Sequence, residues 1–264
     1  MKYALTNGQR GEAKPDLSGE CPYCNGRMVA KCGEVKIWHW SHIGRRICDS
    51  WWENETEWHR NWKGVFPGDW QERVHIANNG EKHIADVKTD KGWVLEFQYS
   101  FLNPEERRAR STFYQNLVWV INGTRRPRYE AQFFKTLNDM NPINSDPMVR
   151  PVFLGFSTLL EEWVDTQTPV FFDFGEESPM WCLIPTRPGE MYVYVAAISR
   201  ADFIEFHREG AVRDFADYIK RLGNIVSNYK CRQDQMLSQS TPRMGGGRPQ
   251  YSARWARARS RMRF

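Results

Sequence analysis

The sequence predicts an α/β domain built on a mixed sheet and preceded by a small metal-binding knuckle. Three observations carry that expectation. Four of the six cysteines fall within residues 21–48, together with His39 and His42. Residues 70–100 hold three strand-like segments broken by Asn78-Asn79-Gly80 and Asp90-Lys91-Gly92, turn clusters of the kind that join antiparallel strands. Residues 117–121, Leu-Val-Trp-Val-Ile, form a short continuous apolar run, the pattern of a strand buried on both faces.

Taken in order, residues 1–16 are polar and read as loop or strand, and 17–48 carry the Cys/His cluster. Ser50-Trp51-Trp52-Glu53 reads as a capping box opening a helix that Pro67 ends near Val65. On that helix Trp51, Trp58, Trp62 and Val65 share the apolar face, Glu55 edges it, and Glu57 looks outward. Glu55, His59 and Lys63 then form a polar ridge beside the buried face. Strands are expected at 70–77, 83–89 and 93–100. Asn103-Pro104-Glu105-Glu106 starts a second helix running to about residue 116, with Asn103 as cap, Pro104 in the first position and Glu106 completing a box. Beyond residue 123 the pattern gives a helix at 129–140, short strands at 152–156, 170–174 and 192–198, and helices at 200–209 and 211–229. The expected organisation is 1–48 as the knuckle segment, 49–210 as the α/β domain, 211–237 as a helical extension and 238–264 as a flexible basic tail.

No apolar run approaches the ~18 residues of a membrane span, and the first residues lack a signal-peptide core, so a cytoplasmic location is expected. Of the net charge of +5, seven arginines in 243–264 leave the rest at −2. A cationic end of that kind, including Arg254, Arg257, Arg259 and Arg261, suits contact with nucleic-acid phosphates. Arg107 and Arg110 on the second helix are further phosphate-contact candidates, although a charged helix face is ordinarily just solvated.

With Asp90-Lys91-Gly92 as a three-residue turn, the hairpin register puts Asp86 opposite Glu96. Two carboxylates so placed repel unless a proton or cation sits between them, and Mg²⁺ or Mn²⁺ is the economical occupant. Cys21-x₂-Cys24 is a knuckle that presents two thiolates to one Zn²⁺, which needs two more ligands from Cys32, His39, His42 and Cys48. His42 and Cys48 are the preferred pair, with His39 as the alternate. A site saturated by four protein ligands has a structural role.

Cys-Pro-Tyr-Cys at 21–24, His-Trp-Ser-His at 39–42, Glu55 with His59 and Lys63, Ile84-Ala-Asp86-Val87, Glu96-Phe-Gln98-Tyr-Ser100, then Tyr114 with Trp119-Val-Ile, resembles in order and spacing the competence protein CoiA-like nuclease family. The likeness covers roughly 17–122. It implies a zinc knuckle joined to a PD-(D/E)xK, restriction-endonuclease-like core, with Glu55 as the helical acid and Asp86 and Glu96 as the strand acids. It implies a DNA nuclease whose divalent ion is held by these acids. Gln98 stands where the wider superfamily has lysine and would position the attacking water, with Lys63 or Lys88 left to supply the positive charge and His59 as a further candidate. The alternatives are a DNA-binding accessory factor of uptake or recombination without turnover, for which protein partners in DNA processing are expected, and a zinc module whose partner is a protein and which binds no nucleic acid.

Overall fold

The computed structural model describes residues 1–44, 48–52, 54–186, 189–208 and 210–240, without the side chains of 239 and 240. Glu53 of the expected capping box and the tail arginines Arg254, Arg257, Arg259 and Arg261 lie outside the described residues. The strands before the first helix are β1 (Tyr3–Thr6), β2 (Gln9–Glu12), β3 (Ser18–Glu20), β4 (Arg27–Lys31) and β5 (His39–His42). Then come α1 (Glu57–Gly64), β6 (Gln71–Ile76), β7 (Lys82–Lys88), β8 (Val94–Gln98), α2 (Pro104–Phe113), β9 (Leu117–Asn122) and α3 (Pro127–Asn138). The chain continues through β10 (Asn144–Ser145), β11 (Met148–Phe153), α4 (Thr158–Trp163), β12 (Val170–Asp173), β13 (Met180–Ile184), β14 (Tyr192–Ile198), α5 (Arg200–His207) and α6 (Phe215–Ser240). It forms one compact unit from Met1 to Val226 and a second from Ser227, whose described part is the remainder of α6.

The larger sheet has nine strands in the order β10-β11-β14-β13-β12-β9-β8-β7-β6. β9 runs parallel to both β8 and β12, and the other neighbours are antiparallel, so the sheet is mixed, as expected. β9 lies in the interior of the sheet, between β12 and β8, and all six of its residues are buried. A fully buried Leu, Ile or Val side chain contributes ~1.5–3 kcal/mol, and only an interior strand offers cover on both faces. α3 and α4 pack over one face through Tyr129, Phe133, Leu159, Leu160 and Trp163. Among the described residues, no helix is long and apolar enough to cross a membrane.

The expected β6-β7-β8 meander is present, and the turn at Asp90-Lys91-Gly92 sets the expected register: Lys88 pairs with Val94 and Val87 with Leu95. Gly92 supplies the positive φ, 81°, that the turn requires. The polar first 20 residues hold three strands of a second, antiparallel sheet, β2-β1-β3-β4-β5. Its core is small, with Met1, Ala4, Ala13, Cys21, Met28 and Trp40 buried together.

Several expected boundaries change. No helix starts at Ser50, because Asp49 ties up the following backbone: its side chain accepts from Trp51 N–H at 3.0 Å and its carbonyl from Trp52 N–H at 3.3 Å. α1 starts instead behind Thr56, in a capping box whose far member is His59. Glu55 therefore precedes the helix, and helical phase does not govern where it points. Asn103 caps α2 as expected, accepting from Glu105 N–H, but Glu106 pairs with Arg110 instead of closing a box, and the helix ends at Phe113. The strand expected at 152–156 is β11 followed by a 3₁₀ turn at Leu154–Phe156. β13 and α4 were not signalled.

Candidate functional site

α1 is held against the sheet by one carboxylate. Asp173, buried at the end of β12, accepts both indole N–H groups, of Trp58 and Trp62, at 2.8 Å on one oxygen. Its other oxygen accepts from Arg200 at 2.5 Å and Gly175 N–H at 3.1 Å. Trp62 also stacks on Phe97 of β8, ring centroids 5.6 Å apart. Because positions four apart in a helix share a face, fixing Trp58 and Trp62 fixes the neighbouring row, His59 and Lys63, which is turned into a cavity of about 60 Å³.

That cavity is also lined by Glu55, Glu72, Asp86, Glu96 and Arg110. The hairpin register brings Asp86 beside Glu96, and each carboxylate reaches a backbone amide across the pair. Phe97 N–H donates to Asp86 Oδ2 at 3.0 Å and Asp86 N–H to Glu96 Oε1 at 3.3 Å. Lys63 is the hub of the remaining charge: its ammonium pairs with Glu55, with Glu72 at 3.0 Å and with Asp86 at 3.8 Å. Glu55 is further held by Arg60 at 2.6 Å. Thus the loop before α1, α1 itself and three strands meet at one point.

Glu72 was missed by sequence reasoning. It sits between the ladder pairs Gln71–Val87 and Arg73–Ala85, with φ at 47°, a left-handed conformation that costs a non-glycine residue ~1–2 kcal/mol. Its bonds offset that cost. Both carboxylate oxygens accept from Lys2 N–H, at 2.8 and 2.9 Å, and Oε2 accepts from Tyr3 N–H at 3.1 Å. No local pattern encodes this, because its partners Lys2 and Tyr3 lie 70 and 69 positions away.

The electrostatics follow from burial. Burial pushes Glu96 up, and Asp86 adds to this, so that despite Arg110 its carboxyl is pushed up to about 8. Burial acts the same way on Glu72, but Lys63, the N-terminal ammonium and the Lys2 amide outweigh it and hold the carboxyl at about 2. Glu55 is likewise buried, and Lys63 and Arg60 keep it below the usual carboxylate range. Burial alone would lower Lys63; Glu72, Asp86 and Glu55 instead hold it above an ordinary lysine.

The other expected site residues sit as follows. Gln98 is fully buried, donates to the carbonyl and hydroxyl of Ser100 at 3.2 Å, and is not among the cavity's lining side chains. Lys88 donates to His75 Nδ1 at 2.9 Å. Arg107 and Arg110 do not lie on a solvated face: both are buried. Arg107 is engaged by the Glu162 carbonyl and Asp165, and Arg110 holds Glu96 at 3.1 Å, Glu106 and the Trp51 carbonyl at 2.7 Å.

The cysteine cluster assembles from Cys21, Cys24, His42 and Cys48, whose ligand atoms all lie within 4.8 Å of one another. Cys21 Sγ and Cys48 Sγ are 3.7 Å apart, and Cys24 Sγ and His42 Nε2 are 3.3 Å apart. Tetrahedral zinc with Zn–S of ~2.3 Å and Zn–N of ~2.0 Å separates its ligands by ~3.5–3.8 Å, so the donor set could hold zinc. His39, the alternate, turns its Nδ1 to the Ile37 carbonyl at 2.8 Å, and Cys32 packs against the small core.

These features define an α/β protein with a large mixed sheet, an acid-lined cavity at one edge and an N-terminal Cys₃His lobe. Residues 18–50, which contain all four cluster residues, match the family model for the competence protein CoiA, N-terminal domain. Neither a curated protein nor a solved structure matches the chain.

Proposed function

We propose that the protein is a divalent-metal-dependent nuclease of the PD-(D/E)xK kind that hydrolyses phosphodiester bonds in DNA, with zinc at the Cys₃His cluster in a structural role. The match to the CoiA N-terminal domain supports a competence-related setting. The observation that carries the reading is the meeting of Glu55, Asp86, Glu96 and Lys63 on one cavity from separate segments.

The donors there are hard carboxylate oxygens, and the charged form of Glu96, disfavoured first by burial and then by Asp86, is one that a dication would favour. Asp86 and Glu96, with Glu55, are the residues that would hold Mg²⁺ or Mn²⁺. When bound, such an ion supplies Lewis acidity toward phosphate and a water activated for attack. Lys63 takes over the charge that Gln98 lacks. Its ammonium is fixed beside Asp86 and stays protonated at neutral pH, so it stabilises charge gathering on the phosphate. Arg110 holds Glu96, and Glu72 holds Lys63.

Purified protein incubated with single- and double-stranded DNA and Mg²⁺ or Mn²⁺ should cut, and Asp86→Ala should not. An Asp86→Ala variant cutting as well as the parent removes the site assignment. One observation favours a second reading, a DNA-binding accessory factor without turnover: Lys63 and Arg110 already neutralise much of the acid cluster. That reading calls for salt-sensitive binding that survives loss of both Asp86 and Glu96.

A further inference from the structure

Both halves of the Cys₃His cluster grip the strand that bears Asp86. Tyr23, between Cys21 and Cys24, donates its hydroxyl to the Lys82 carbonyl at 2.8 Å, and Lys82 Nζ donates to the Tyr23 carbonyl at 2.6 Å. Asp49, directly after Cys48, is 3% exposed. Its Oδ1 takes Trp51 N–H and pairs with His83 Nδ1 at 2.8 Å, while Oδ2 takes Ile84 N–H at 2.8 Å. Lys82, His83 and Ile84 are the first three residues of β7, and Asp86 follows two positions later. The β7–β8 ladder pairs Val87 and Lys88, so on that edge the Asp49 carboxylate does for Ile84 what a neighbouring strand does further along.

A second line runs from the same segment to the other acid. Trp51 stacks on His83, ring centroids 3.3 Å apart and planes 12° from parallel. Its carbonyl accepts from Arg110 at 2.7 Å, and Arg110 holds Glu96 at 3.1 Å. Residues 48–51 thus touch β7 directly and reach Glu96 of β8 through Arg110.

We infer that the Cys₃His lobe positions the acidic centre, and that Asp49 is the positioning residue that passes the order on. A metal held by Cys21, Cys24, His42 and Cys48 fixes the chain at Cys48. Asp49 then fixes the start of β7, and Trp51 fixes Arg110. The inference rests on the proposed reading of the acidic centre as the working site. Asp49 itself touches neither acid.

The test uses the full chain as parent, Asp49→Ala, Asp49→Asn and, as control, Glu81→Ala, each loaded with zinc and stripped by a zinc chelator. Bound zinc, amide hydrogen exchange, and kcat and KM on DNA are read. Two amides report directly: Ile84, bonded to Asp49, and Phe97, bonded to Asp86. In the parent, stripping zinc should speed exchange at both by about tenfold or more while β9 stays protected. Asp49→Ala should hold zinc yet exchange fast at both amides whether loaded or not, with kcat reduced and KM kept; Glu81→Ala should follow the parent. Asp49→Asn keeps one acceptor oxygen, should fall between, and decides the matter if the alanine variant does not fold. Protection of Ile84 and Phe97 that survives zinc removal overturns the inference, as does a zinc-loaded Asp49→Ala that exchanges like the parent. So does loss of zinc from Asp49→Ala, which makes Asp49 a support for the metal alone. If the parent cuts no DNA, the proposed function fails and the exchange arm still decides the coupling. If the parent cuts and Asp49→Ala keeps its kcat, the coupling fails and the proposed function stands.

Discussion

Replacing Lys63 by methionine keeps much of the side chain's volume and removes its charge from among Glu55, Glu72 and Asp86. Removing one partner of a buried ion pair costs ~3–5 kcal/mol, because the other is left uncompensated. Glu72 gives a second measure. Against burial, Lys63, the N-terminal ammonium and the Lys2 amide together take its carboxyl from 4.5 to about 2, which corresponds to ~3 kcal/mol of folding free energy at neutral pH. The folded value lies below the unfolded one, so this stability is present above about pH 4.5 and is lost as pH falls toward 2. In Lys63→Met, burial is opposed only by the N-terminal ammonium and the Lys2 and Tyr3 amides at Glu72 and by Arg60 at Glu55, and it drives both carboxyls up instead. Their folded values then exceed the unfolded ones, and the deficit is largest at neutral pH and shrinks on acidification. Urea unfolding of the parent and Lys63→Met at pH 7 and pH 5 measures both effects. The expected deficit is ~3–5 kcal/mol at pH 7 and clearly less at pH 5. A deficit under ~1 kcal/mol at pH 7, the size of a surface pair, or one that grows toward pH 5, refutes the reasoning.

Glu96 has the opposite sign: burial and Asp86 raise its folded value to about 8, so its contribution is full below about pH 4.5 and is lost as pH rises through 8. Metal-free parent should therefore lose stability between pH 5 and 9, and Glu96→Gln should flatten that slope in urea titrations. Asp173→Ala strands two indole N–H groups and Arg200, and should cost ~2–5 kcal/mol and weaken the near-UV circular dichroism of Trp58 and Trp62. Cys48→Ser should lower bound zinc, measured by metal analysis of the purified protein, while Cys182→Ser should leave it unchanged. Deleting residues 243–264 should make the log–log salt slope of duplex binding shallower by ~0.9 for each phosphate that the arginines no longer neutralise; an unchanged slope removes those arginines from the interface.

What could be read from the sequence was whatever local chemistry fixes. A three-residue turn with glycine at its end fixes a register, so the pairing of Asp86 with Glu96 was legible. Cys-x₂-Cys spacing fixes two ligands, and His42 and Cys48 were the preferred remainder. Trp58 and Trp62 four apart fixed the buried face of α1, and with it the row of His59 and Lys63. The start of α1 was not legible, because Ser50 and Thr56 both offer caps and the choice falls to Asp49, whose partners His83 and Ile84 lie 34 and 35 positions away. Glu72 depends on a left-handed backbone and on amides of β1, both invisible to periodicity. Arg107 and Arg110 were read as phosphate-contact candidates on a charged helix face; Asp165, the Glu162 carbonyl and Glu96, which engage them, lie outside α2. The strands of the first 20 residues are short and polar, held by pairing and by a small core more than by any apolar run.

The capping box at the head of α1 leaves its mark on acid–base chemistry. Thr56 N–H reaches His59 Nδ1 at 3.1 Å, and a backbone amide can only donate. Nδ1 is therefore the acceptor, and a neutral His59 ring must carry its hydrogen on Nε2. A glutamate in that position would have closed the box without choosing a tautomer. With histidine, the same bond that starts the helix decides that whatever the neutral ring offers the cavity through Nε2 is an N–H and not a lone pair. Proton abstraction by that nitrogen is closed to it while the cap is made.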